Sequence, residues 1–353
     1  MNRDTTIDAA KGIGIILVVL GHTPGLPMIL KEYIYSFHMP LFFLITGYLF
    51  NERKNKLVPY QGFFRLRFNR LIIPYFTMAF SCYFVFSLGL NTLGFLKNSE
   101  YDFLSTLKQL IGIIYSKGTL EWLPNCSPLW FLTCLFVTEN ILLFLLKRDM
   151  KKQIILAISM ASLGYIISIT IPFKLPWNID TSLTAVLFTY FGYLLNKYNL
   201  VQIFYSKKKA QLVLITILSL FLLYLSNTFN FISYVSFNSN HYGNIFLMYI
   251  GAISGSATVF IISRFLHRSK ILNFFGVNTM PIIGFNYAAI WFVGAVFSVL
   301  DLRYSWLLGF LSHLVVLIIL ILLIKKIPKY NSLVFGNSKT RIEIQNMKSG
   351  IIV

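Results

Sequence analysis

The sequence predicts an all-α fold, a polytopic integral membrane protein of about ten transmembrane helices with both termini cytoplasmic. Three observations predict it. Of 353 residues, 56% are hydrophobic and 12% charged, where a soluble domain carries about a quarter charged residues. The mean hydropathy is +0.69. Apolar stretches of membrane length recur along the whole chain, and basic residues collect in every second gap between them.

The apolar stretches fall at 12–30, 33–50, 71–96, 129–146, 153–171, 181–196, 211–228, 245–263, 276–299 and 305–324. Most reach the ~17–25 residues that cross a bilayer, and 181–196 is the shortest. With the N-terminus inside, only Lys31, Lys97, Lys108, Lys117, Lys174 and Arg303 fall outside. The net charge of +19 is therefore a matter of topology in a plasma (inner) membrane. It excludes a nucleic-acid partner and makes the lipid bilayer the first one. The first stretch shows no small-residue cleavage site and contains His22, so it is expected to stay as a span rather than leave as a signal peptide. Cys82, Cys126 and Cys134 have no metal-ligand spacing and read as small apolar residues. No repeat or linker divides the chain, so a single transmembrane domain over 1–328 is expected, followed by a short basic cytoplasmic tail over 329–353.

Four places carry the chemistry. The first span runs from Lys11 to Gly21-His22. Eleven residues are close to three helical turns, so Lys11 and His22 share a face about 16 Å apart along the axis. An ionisable group within a span marks a functional pathway by default, and a neutral imidazole can take a proton from an alcohol. The competing reading is a packing link between helices. The second span opens Tyr35-Ser36-Phe37-His38-Met39-Pro40, and a short connection makes it a neighbour of the first. His22 and His38 can then reach one cavity, although His38 also suits a helix start at the interface. The inside loop places Arg65, Arg67 and Arg70 before Pro74-Tyr75. Such guanidinium forks bind phosphates, and equally anchor an inside loop. Glu139 lies in the fourth span, where a buried carboxylate needs a partner. It can orient a histidine or pair with an arginine. His313 in the last span reads as a packing contact.

Two outside loops complete the picture. The segment 97–128 carries Glu100, Tyr101, Asp102, Glu121 and Trp122, and 229–244 is rich in Asn, Ser, Tyr and Phe without Lys or Arg. Ring faces and paired amides suit a sugar; an interfacial aromatic belt has the same composition.

These residues together resemble the membrane acyltransferase-3 family, with the nearest likeness to its fucose 4-O-acetylase-like branch. The likeness rests on Asp8 and Lys11-Gly12 leading to Val18-Val19-Leu20-Gly21-His22, and on Phe37-His38-Met39-Pro40-Leu41-Phe42-Phe43 through Gly47-Tyr48. Arg67 and Arg70 before Pro74-Tyr75, then Leu129-Trp130-Phe131-Leu132, extend it to about residue 140. The resemblance implies an O-acyltransferase that draws acetyl-CoA from the cytoplasm and acylates a glycan hydroxyl. It implies His22 as catalytic histidine with Lys11 as basic companion, and Arg67 and Arg70, with Arg65 beside them, as contacts for the CoA phosphates. No metal is expected. The chain departs from the family near Gly284-Phe285-Asn286, where many relatives carry a histidine. A lipid-linked oligosaccharide flippase or other transporter is the rival reading, but it should show midplane charge pairs or broken repeat helices.

Overall fold

Helix is the regular structure of the computed structural model, which describes residues 4–90 and 103–336. Among the described residues no strand forms; one isolated antiparallel bridge joins Ser236 and His241. Positions 91–96 of the expected third span, the loop residues Glu100, Tyr101 and Asp102, and 337–353 of the tail lie outside the described residues.

Asp4 starts the fold. Its carboxylate accepts from the Thr6 and Ile7 amides at 2.9 and 3.4 Å, so α1 spans Thr5–Gly21. That side-chain cap satisfies two amides that a helix start leaves without partners. The helix stops before the expected position 30, because Pro24, Gly25 and Pro27 follow. Proline offers no amide and Gly25 adopts φ +75°, a left-handed turn that suits glycine. Helix α2 (Met28–Tyr48) returns immediately. The connection is therefore 22–27 rather than 31–32, and Lys31 belongs to the first turn of α2.

Short α3 (Glu52–Lys56) and α4 (Tyr60–Arg67) lead through a π-helical turn, Phe68–Ile72, into α5 (Ile73–Cys82). A second π-helical stretch, Tyr83–Leu90, follows, so the expected third span is an interrupted helix. Then come α6 (Phe103–Tyr115), α7 (Trp130–Leu146), α8 (Met150–Thr170), α9 (Ile179–Lys197) and short α10 (Leu200–Tyr205). The last six are α11 (Lys209–Phe229), α12 (Ile245–Leu266), α13 (Lys270–Val277), α14 (Thr279–Val299), α15 (Trp306–Lys326) and α16 (Pro328–Val334). The first residues after 328 are thus helical and packed: Val334 is buried, and the Tyr330 hydroxyl donates to Ser81 Oγ at 2.7 Å.

Among the described residues six helices are long and apolar enough to cross a membrane: α7 with the turn before it, α8, α11, α12, α14 and α15. The chain is a multi-pass membrane protein. Helices α1, α2 and α9 fall short by length or polar content, and the structure gives the reason. Only 22% of α8 and of α11 is buried inside the protein, so their surfaces face lipid and must be apolar. Helices α1, α2 and α9 instead bury Asp8, Ser36, His38, Asp180, Thr181, Ser182 and Thr184 among other helices, where polar groups find partners.

Glycine sets how closely this centre packs. A Cβ on Gly192 would strike the Leu44 carbonyl, and one on Gly47 would strike that of Thr189. Gly12 and Gly276 relate α1 to α13 in the same way, against Leu272 and Asp8. Backbones meet at each crossing, the small-residue packing that membrane helices use. Replacing Gly192 by Leu should force α2 from α9 at a cost of about 1–3 kcal/mol. We expect a lower melting temperature and less monodisperse protein in detergent. Gly294→Ala, where a Cβ meets nothing within 4 Å, is the control expected to be neutral or slightly stabilising.

Candidate active site

The early stop of α1 creates the site. His22 follows its last turn, where carbonyls lose their helical partners. The Val18 carbonyl accepts from the His22 amide at 3.2 Å and meets His22 Nδ1 at 2.7 Å. A carbonyl oxygen only accepts, so Nδ1 carries the hydrogen and the neutral ring keeps its lone pair on Nε2. His38 repeats the arrangement: its Nδ1 donates to the Ile34 carbonyl at 2.8 Å. Both imidazoles are fixed in the tautomer of a base at Nε2.

Tyr35 stands between them, its ring centroid 5.8 Å from that of His22 and 4.8 Å from that of His38. Gly21 permits this approach, since a Cβ there would sit 2.9 Å from the Tyr35 ring. Tyr287 meets His22 edge-on at 5.5 Å, and Tyr234 meets Tyr35 at 5.1 Å. These side chains line one cavity of about 280 Å³ together with Lys31, Trp130, Phe131, Ser127 and the loop segments 118–120 and 234–239. Both loops read as sugar-compatible thus contribute walls. The Gly118 carbonyl ties them together, accepting from Ser127 Oγ and Asn238 Nδ2.

A buried polar knot holds the 234–239 wall. Lys174 Nζ lies 3.1 Å from Asp180 Oδ2 and donates to Asn240 Oδ1 at 2.8 Å. Asn240 Nδ2 donates to Asp180 at 2.6 Å, while Thr181 and Tyr242 hydroxyls donate to Asn240 Oδ1 at 2.8 and 3.0 Å. Burial pushes the Lys174 ammonium below its usual range, and the Asp180 charge opposes that. The Ser236–His241 bridge, with backbone bonds of 2.8 Å each way, closes the turn.

The structure brings His22 and His38 together and leaves the other expected residues elsewhere. Lys11 sits near the start of α1 in an ion pair with Asp8 at 2.8 Å, about 16 Å of helix from His22, and does not line the cavity. Glu139 orients neither histidine. It pairs with Arg67 Nε at 3.1 Å, and the guanidinium also lies over the Phe50 and Phe63 rings at 5.6 and 5.0 Å. Of the three arginines, Arg65 and Arg70 are exposed and in no ion pair among the described residues. Among the described residues, buried Asn286 has neither amide atom partnered, and both ring nitrogens of buried His313 are likewise unpartnered. Sequence reasoning missed Lys31, Tyr35, Tyr234 and Tyr287. A signal existed for two of them, because residues 31, 35 and 38 share one helical face.

Comparison with known proteins agrees with the likeness seen in the motifs. The acyltransferase domain family matches residues 4–326, nearly the whole chain, and the chain belongs to that family. A 58-residue stretch is 53% identical to the nodulation protein NolL of Sinorhizobium fredii, covering 14% of this chain and 16% of that protein. No solved structure matches.

The knot behind the wall is testable without knowing the substrate. Asp180→Ala leaves a buried ammonium without its counter-ion, which costs about 3–5 kcal/mol. The melting temperature in detergent should fall accordingly, and the double variant Lys174→Met with Asp180→Leu should recover much of the loss. Equal melting of Asp180→Ala and wild type would show that the pair does not hold the wall.

Proposed function

We propose that this chain is an O-acyltransferase of the cell membrane that moves an acetyl or similar acyl group from cytoplasmic acyl-CoA to a hydroxyl of a cell-surface or lipid-linked glycan. One observation carries the reading: a histidine locked by Val18 as a base at Nε2 lines a cavity walled by tyrosines, serine and asparagine. Aromatic faces beside hydrogen-bonding groups suit a sugar ring. About 280 Å³ lies at the small end of ligand pockets. It holds a sugar unit and a thioester end, so the rest of the coenzyme must lie elsewhere.

Arg65 and Arg70 supply that other place. In this reading α1, α2, α5 and α9 complete ten crossings with both termini cytoplasmic, and these exposed guanidiniums meet the CoA phosphates on that side. Arg67 instead holds the site's framework through Glu139. The pantetheine arm then runs up the bundle from the Lys11 level toward His22, a rise of about 16 Å.

In the transfer, His22 Nε2 removes the proton of the sugar hydroxyl as its oxygen attacks the thioester carbonyl. The C–S bond breaks, the acyl group becomes an ester, and the CoA thiolate takes the proton back from the imidazolium. Tyr35 and Tyr287 bring hydroxyl donors to the cavity for the oxyanion. His38, in the same tautomer and sharing Tyr35, positions that tyrosine. Attack by His22 itself on the thioester would give an acyl-imidazole instead; kinetics that demand both substrates together exclude it.

The test is the O-acetyl content of the host's glycans in a deletion strain rescued by wild type or by His22→Ala, with both proteins at equal level in the membrane. Wild type should restore ester and the variant should lose at least about a hundredfold, the share of rate a positioned base supplies. Equal rescue would reduce His22 to packing. Changed glycan export with unchanged ester would favour a transporter.

A further inference from the structure

The cavity holds a cation that the transfer just described does not use. Lys31 Nζ lies 4.6 Å from the Tyr234 ring centroid and 5.3 Å from that of Tyr35, on the cavity that His22 and His38 share. Among the described residues, no aspartate or glutamate lines that cavity. Three other sheltered cations are paired, while Arg264 and Lys117, which lie over rings as Lys31 does, are outside the cavity. Lys11 holds Asp8, Arg67 holds Glu139 and Lys174 holds Asp180, whereas Lys31 is in no ion pair among the described residues. It also occupies the first turn of α2, where the helix dipole is positive and a lysine is disfavoured. A cation kept there against the dipole, between two ring faces and without a counter-ion, forms a receptor for negative charge.

We propose that Lys31 is the specificity residue for the acceptor, binding a carboxylate or phosphate that the glycan carries close to the hydroxyl being acylated. The proposal rests on the acyltransferase reading above. The donor does not supply this anion: its phosphates fall to Arg65 and Arg70 near the start of α5, and a thioester is neutral. Tyr35 and Tyr234 flank the ammonium, so one sugar unit can lay a ring face on a tyrosine while its acidic group meets Lys31.

The experiment uses the full chain in detergent with acetyl-CoA and an acidic oligosaccharide from the host's surface polysaccharide. Two neutralised forms of the acceptor are compared with it, one with carboxyl groups reduced to alcohols and one treated with phosphatase. Wild type, Lys31→Gln and Lys31→Arg are assayed on all three. We expect wild type to lose about tenfold or more in kcat/KM, chiefly through KM, on the form that lacks the recognised group, as for a charge-assisted hydrogen bond. Which form fails identifies carboxylate or phosphate. Lys31→Gln should handle all three alike at that lower level, and Lys31→Arg should keep the preference. Lys31→Gln that still discriminates as wild type does, or that loses kcat equally on every acceptor, overturns the proposal. Wild type that acylates all three equally overturns it without any variant, even if Lys31→Gln does not fold. Wild type that acylates none of them removes the acyltransferase reading itself, a separate outcome.

Discussion

The hydrogen bond from His22 Nδ1 to the Val18 carbonyl, 2.7 Å long, is the interaction on which the site depends. The same bond, from His38 Nδ1 to the Ile34 carbonyl, forms inside α2, so it is a helical histidine folding back on the carbonyl four residues before it. The Val18 carbonyl accepts from the His22 amide and from Nδ1 together, using both lone pairs. The proline-rich turn 24–27 enforces the end of α1, and the glycine crossing with α13 fixes where α1 lies. Inserting or deleting one residue between the α13 crossing and His22 would rotate the histidine about 100° around the helix and take it from the cavity. The tautomer is thus set by a backbone carbonyl of the histidine's own helix.

Charge is arranged differently at the two ends of α1. Near its start, Lys11 is neutralised by Asp8, and Arg67 by Glu139. These pairs sit among buried helices, where an unpaired ion is costly, and they behave as framework. Where α1 ends, Lys174 is neutralised in the same way behind the 234–239 wall, while Lys31 is left facing the cavity. These framework charges are paired internally, and the charge left unpaired at the cavity is one a substrate can answer.

Much of this was legible in the sequence, for identifiable reasons. Residues His22 and His38 stood out because each interrupts an apolar run, and their shared cavity followed from the short connection between two spans. Composition sufficed for the helical fold, since bilayer-facing helices such as α8 and α11 are apolar on every side. Helices α1, α2 and α9 carry a weaker hydropathy signal because other helices, not lipid, cover them. Pairwise contacts were not legible. Glu139 as an orienter of histidine and Arg67 as a phosphate contact were both reasonable by residue type, yet the two, 72 positions apart in the sequence, meet each other in the bundle. Nor did spacing show Tyr234 and Tyr287, which reach the cavity from a loop and from α14, remote in sequence and adjacent only once the bundle packs.

The way His22 is oriented bears on its chemistry. In a serine hydrolase a buried carboxylate holds the histidine and also stabilises the imidazolium. Here a neutral carbonyl does the holding, and among the described residues no carboxylate lines the cavity. The tautomer is fixed as firmly, but the positive charge that follows proton removal meets no permanent anion. In the proposed transfer from acyl-CoA, an imidazolium is then best as a brief species that returns its proton to the departing thiolate, which favours direct transfer over a stored acyl-imidazole. An acidic group on the acceptor, held by Lys31, would bring negative charge to the cavity only when the sugar is present. On that arrangement the base would be most effective once its proper acceptor has bound, and the thioester would be guarded from water until then.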